Sequence, residues 1–152
     1  MSRTDHASRR IAATRQAVYA AMTDAKALEK WLPPSGMSGE MRSFDLRPGG
    51  HYEMVLRHDD EAIAGKSGGN QDIAKIRYLE LVPDRLVSQA IDFPSEDPRF
   101  SGTMIMHWVL EDVPGGTLVS IRAEDVPEGI GAADHAEGLA SSLGNLARLL
   151  ER

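Results

Sequence analysis

The sequence contains no cysteine. That excludes disulfides, thiolate nucleophiles and cysteine-based zinc sites, and it fits a reducing compartment. Excess positive charge is also lacking: 17 Lys and Arg stand against 23 Asp and Glu, a formal net charge of −6. A nucleic-acid binder needs clustered basic side chains to neutralise phosphates, and only Arg3, Arg9, Arg10 and Arg15 approach a cluster. No apolar run is long enough to span a bilayer. The opening MSRTDHASRR lacks the apolar core of a signal peptide. The expectation is a cytoplasmic protein with neither nucleic acid nor membrane as partner.

Chemical signatures are equally sparse. Histidines 6, 51, 58, 107 and 135 show no ligand spacing, so no metal is expected, and no cofactor is indicated. The stretch AGKSGG (64–69) has Asp60 where a phosphate-binding loop needs its first glycine, and a strand pattern follows where a helix should. HDDE (58–61) reads as a solvated loop. There is no GxSxG elbow. Ser88, Ser120, Ser141 and Ser142 read as strand or helix filler, not as serines placed with a histidine and an acid.

What is present is the patterning of an ordinary globular chain. Its 152 residues are expected to form one domain, 1–152, able to bury roughly two thirds of the surface of the unfolded chain. A short strand at 8–13 precedes Thr14, a candidate N-cap for a helix carrying Val18, Tyr19 and Met22. Asp24 can cap a second helix, 25–32, which Pro33-Pro34 ends. From Glu40 the period changes to two. Strands are predicted over 40–46, 51–57, 73–82, 85–93, 103–113 and 117–124, with turns at 47–50, 83–84 and 115–116. Polar loops at 58–72 and 94–102 interrupt them. Near the C-terminus Leu139, Leu143, Leu146 and Leu150 mark one helix face, beside a ridge of small residues, Ala136, Ala140, Gly144 and Ala147. Consecutive strands with short connections predict an antiparallel meander, and the long helix must cover its inner face. That is a two-layer α+β fold.

This order of elements resembles the helix-grip fold of the birch-pollen-allergen-like (Bet v 1-like, START-like, SRPBCC) superfamily. Within it the likeness is to the family of the activator of heat-shock-protein-90 ATPase (AHSA1-like). The stretches that carry it are RRIAATRQAVYAAMTDAKALEKWLPP, FDLRPGGHYEM, YLELVPDRLV, TMIMHWVLEDVPGGTLVSI and HAEGLASSLGNLARLLE, from about Arg9 to Glu151. The resemblance implies a curved antiparallel sheet of six to seven strands wrapped on a long C-terminal helix, with two short helices after the first strand and a ligand cavity between the long helix and the sheet. The family often has tryptophan after the "EG" of the last helix. Leu139 replaces it here, which is expected to enlarge the interior. The eukaryotic co-chaperone also has a separate N-terminal domain with no counterpart in these residues, so chaperone activation is not implied.

The pocket wall is therefore expected from Tyr52, Met54, Met106 and Trp108 on inward strand positions, with Tyr78, and from Ala136, Leu139, Ala140 and Leu143 on the helix. Met37, Met41 and Met104 extend the adaptable apolar surface. Glu80 has two readings. With Tyr78 it faces inward as a buried carboxylate able to orient a ligand or act as a base, or Leu79 and Leu81 face inward and Glu80 is solvated. The expected function is binding of an apolar or amphipathic small molecule. A cyclase- or hydrolase-like enzyme built on an internal Glu80 is the first alternative. An interaction protein, chaperone-associated or homodimeric through Ile105 and Val109, is the second.

Overall fold

The computed structural model describes residues 3–33, 36–58, 71–93, 98–99 and 101–151. The elements are β1 (Arg3–Ile11), α1 (Arg15–Met22), α2 (Ala25–Trp31), β2 (Met37–Phe44), β3 (His51–His58), β4 (Gln71–Val82), β5 (Leu86–Phe93), β6 (Gly102–Val113), β7 (Gly116–Val126) and α3 (Ala132–Leu150). One curved antiparallel sheet has the order β1-β7-β6-β5-β4-β3-β2. This is the helix-grip architecture, with β2 to β7 a meander and β1 returning to pair with β7.

The local signals act as their chemistry requires. The Thr14 hydroxyl accepts from the Ala17 N–H at 3.1 Å and starts α1, and the Asp24 carboxylate accepts from the Lys26 N–H at 3.1 Å and starts α2. The β6–β7 turn places Gly115 at φ 83°, the left-handed region glycine enters without penalty. The next residue, Gly116, lies so near the Ile11 carbonyl that a Cβ would collide with it, so β1 can close on β7 only past a glycine. Strand β1 begins at Arg3, earlier than the predicted 8–13. Its first half is polar in sequence, but Arg3, Asp5 and Ala7 lie on its half-buried face.

The core lies between the inner sheet face and the three helices. Met104, Met106, Trp108 and Leu110 of β6 and Thr117, Val119, Ile121 and Ala123 of β7 all point into it, as their alternation predicts. Helix α3 packs along β1 and against α2. Leu139, Leu143, Leu146 and Ala147 join the apolar cluster. Ser142 Oγ donates to the Leu32 carbonyl (3.0 Å), and the Asn145 side-chain amide donates to the carbonyls of Trp31 (3.2 Å) and Pro33 (2.9 Å). These bonds satisfy carbonyls at the end of α2 that the helix itself cannot. At the N-terminus of α3, His135 Nδ1 lies 2.7 Å from the Asp5 carboxylate, which Arg3 also grips with two donors at 3.1 Å. Edge strand β2 is met by α2: the Met41 N–H donates to Glu29 Oε2 at 2.6 Å.

Candidate functional site

Hollows among the described residues include two of contrasting kind. The larger, about 430 Å³, is an open surface groove lined by residues 12–16, Asp112, Gly115 and Gly116. Its one guanidinium, Arg15, is already matched by Asp112 at 2.9 Å. The second is an interior chamber. Met22 of α1 and Leu28, Trp31 and Leu32 in and after α2 form its roof, and Tyr52, Tyr78, Val87, Gln89 and Trp108 of the sheet form its floor. Its free volume is about 10 Å³, which is room on the scale of one water molecule.

The chamber is built by aromatic packing. Trp31 donates its indole N–H to the Ala21 carbonyl at 2.9 Å, locking α2 to α1. Its ring meets Trp108 edge-on with centroids 5.6 Å apart. Tyr52 and Tyr78 lie 5.8 Å apart, with Phe44 beyond them at 6.1 and 6.5 Å. Such pairs are worth about 0.5–1.5 kcal/mol beyond their area burial.

The polar atoms in that wall are unusual. The Tyr78 hydroxyl and the Trp108 indole N–H are fully enclosed and have no hydrogen-bond partner among the described residues, although such groups usually find one. The residues themselves are 1% and 3% exposed. Gln89, a buried amide, shares the chamber. Burial raises both the Tyr78 and Tyr52 phenols well above their ordinary value, so both stay protonated and Tyr78 remains a donor. None of the described residues lining the chamber carries a formal charge.

The family model described as Activator of Hsp90 ATPase homolog 1-like protein matches residues 12–151. The chain belongs to this family. A crystal structure of protein CV1439 from Chromobacterium violaceum is 32% identical, with 98% of this chain and 97% of that chain covered and a TM-score of 0.86. Two more distant crystal structures share the fold. One is protein MLL2253 from Mesorhizobium loti (20% identity, 99% and 98% covered, TM-score 0.76), and the other is the AHSA1 protein from Silicibacter pomeroyi (19%, 97% and 96%, 0.77). No curated protein matches the chain.

This AHSA1-like chain distributes the expected wall residues unevenly. Tyr52, Tyr78 and Trp108 line the chamber. Met54, Met106, Leu139 and Leu143 are buried in the core but do not border it. Ala136 and Ala140 are exposed and line nothing inside, which corrects the expectation for them. The hollow lies beneath α1 and α2, whereas the sequence placed it beneath the long helix. The half of the small-residue ridge that is buried, Gly144 and Ala147, lets α3 lie close, with the Arg9 and Arg148 guanidinium groups beside Gly144.

Glu80 corrects a second expectation. It is exposed, while Tyr78 points inward. Tyr78 pairs with Gln89 but Glu80 pairs with Ser88, so Leu79 is an extra residue, a β-bulge. Leu79 is 42% exposed and Leu81 turns back against the core. The bulge thus combines half of each register considered, and the internal acid required for an enzyme on Glu80 is gone. The loops expected to gate entry lie largely outside the described residues, as do most of HDDE and all of the glycine-rich segment.

Sequence reading missed one constellation. Ser88 Oγ lies 2.8 Å from His107 Nδ1, and His107 Nε2 lies 2.8 Å from Glu124 Oε1. Part of it was open to arithmetic. The Val113–Gly116 hairpin pairing carries outward to His107 with Arg122 and Ile105 with Glu124, which puts Glu124 one diagonal step from His107. The Ser88–His107 pairing crosses a longer loop whose length fixes no register.

Proposed function

We propose that this chain binds a neutral, largely apolar small molecule bearing a hydrogen-bond acceptor, in the chamber between the α1–α2 pair and the sheet. The observation that carries this reading is the pair of enclosed, unpartnered donors, Tyr78 OH and Trp108 Nε1–H, in an uncharged aromatic wall. Leaving such donors unmet costs about 1–3 kcal/mol each, and a ligand carbonyl or ether recovers that cost. Most of the affinity would come from apolar burial, about 25 cal/mol per Å² before the costs of association. Binding requires the chamber to widen. The α1–α2 pair is the movable wall, because α2 is held to α3 and to edge strand β2 by side-chain hydrogen bonds and by no backbone ladder.

Both tryptophans of the chain, Trp31 and Trp108, stand in that wall, so intrinsic fluorescence reports occupancy directly. Titration with the neutral dye Nile red is expected to give saturable quenching or energy transfer, weakened in Tyr78→Phe. Linear, non-saturable uptake, or binding indifferent to both Tyr78→Phe and Leu28→Trp, overturns the reading. The alternative of an interaction surface rests on Ile105 and Val109, which lie half-buried on the outer sheet face beside His107. A cytoplasmic setting agrees with the absence, among the described residues, of any helix long and apolar enough to cross a membrane.

A further inference from the structure

The outer face of the sheet, opposite the chamber, carries rows of cross-strand neighbours. The middle row runs Glu80 on β4, Ser88 on β5, His107 on β6 and Arg122 on β7. To one side runs Arg77, Ala90, Ile105 and Glu124, and to the other Val82, Leu86, Val109 and Ser120. Arg77, Glu80 and Arg122 are exposed, as is Leu79, which the bulge throws outward. Val82, Leu86, Ile105 and Val109 are half-buried. Adjoining apolar side chains left part-exposed between charged ends mark an interaction surface.

The charges have an order. In the middle row the acid is on β4 and the base on β7. In the Arg77 row the base is on β4 and the acid on β7. The ends of each row stand three strands apart, about 14 Å, too far to pair within one chain. Consider two chains packed face to face about a two-fold axis that follows the line between β5 and β6, parallel to the strands. Strand β4 then meets β7 of the second copy, and β5 meets its β6. Glu80 is set against Arg122 of the second copy and Arg77 against its Glu124. Leu86 meets Val109 and Ala90 meets Ile105, apolar on apolar. Every contact occurs twice, as in any isologous interface. A two-fold axis across the strands, through the middle row, would instead set Glu80 on Glu80 and Arg122 on Arg122. Both axes align the strands as packed sheets require, so charge decides between them. Arg77, Glu124 and Arg122 also have partners within the chain, Asp92, His107 and Glu124 respectively. Glu80 meets the base of its row only across the axis.

We propose that the outer face docks a second copy of this chain, forming an isologous dimer through the middle of β4 to β7 about a two-fold axis parallel to the strands. The occupant is a second copy because the face is complementary in charge and polarity to itself. The sheet curves around its helices, so the outer face is convex and contact is confined to these central rows. The dimer is therefore small in area and forms as concentration rises. It lies on the face opposite the chamber and does not depend on the chamber's reading.

The test is sedimentation velocity of the full chain from about 10 μM to about 1 mM, the span in which weak specific contacts form. A dimer is expected to grow with concentration and to recede as salt screens the ion pairs. Glu80→Arg and Arg122→Glu each place two like-charge contacts in the interface, and each should weaken the dimer about tenfold or more. An equimolar mixture of the two variants sets opposite charges together again at both contacts and should dimerise about as tightly as the unaltered chain. That rescue arises only between chains, so a purely structural role for either residue would not give it. A chain that stays monomeric throughout, which would leave the face to a different protein, overturns the proposal. So does a dimer indifferent to both substitutions, or a mixture no tighter than its components. Both positions are exposed, and the concentration series uses the unaltered chain, so it stands even if a variant fails to fold.

Discussion

On the inner face of the sheet, the Tyr78 hydroxyl and the Trp108 indole N–H are enclosed with no partner. On the outer face Ser88, equally enclosed at 3% exposure, ends a chain of short hydrogen bonds to His107 and Glu124. The same strands build both faces, and Val87 and Gln89 flank Ser88 along β5 while pointing to the chamber. The difference lies in what each face can offer a polar atom. Outside, antiparallel pairing sets long polar side chains opposite one another within hydrogen-bond reach. Inside, the neighbours are aromatic or aliphatic apart from the Gln89 amide, and neither donor is met by it or by any other described residue. An unpartnered buried donor is costly, so a molecule that retains two in one chamber invites the reading of a site.

The largest test of the contrast is Trp108→Ala. It removes the edge-on ring contact with Trp31 and the chamber floor together, and should cost about 3–5 kcal/mol in urea unfolding. Next is the suspension of α2: Asn145→Ala leaves the Trp31 and Pro33 carbonyls unmet and should cost about 1–3 kcal/mol. The sharpest test pairs two small changes of opposite sign. Tyr78→Phe deletes a donor that has no partner and should leave stability unchanged or raise it by about 1 kcal/mol, whereas Ser88→Ala deletes a partnered one and should lower it by about 1 kcal/mol. Equal signs in denaturant melts would erase the distinction between the faces.

The smallest effect concerns Asp5. Desolvation pushes its carboxyl up, but the hydrogen bonds from His135 and Arg3 outweigh it and the net shift is downward. A depressed folded-state value stabilises the fold above the unfolded-state value, and the contribution disappears as pH falls through the folded one. The difference in melting temperature between the chain and Asp5→Asn should therefore hold near neutral pH and close below about pH 4.

Most of the fold was legible because its signals are local. Thr14 and Asp24 are caps wherever they precede a helix, and the alternation in β6 and β7 assigns faces without knowledge of neighbours. Glu80 was not legible, because a bulge at Leu79 breaks the period-two rule and no single-strand pattern announces it. Ala136 and Ala140 misled for a related reason: a ridge of small residues on a helix marks a close approach only where something approaches, and near the start of α3 nothing covers them. Tyr52 and Trp108 were assigned inward from their faces and border the chamber, whereas the face of Tyr78 was left open with that of Glu80. The roof from Met22, Leu28 and Trp31 was not foreseen, since which helix overlies which part of a sheet is a tertiary fact.

Glu29 has a consequence beyond its own helix. An outermost strand with free amides is a template onto which another chain can add, and unchecked addition leads to polymers. By taking the Met41 amide, the Glu29 carboxylate places a fixed negative charge where an incoming strand would have to lay its backbone. One of the two rims of the sheet is thus guarded by one side chain from a neighbouring helix.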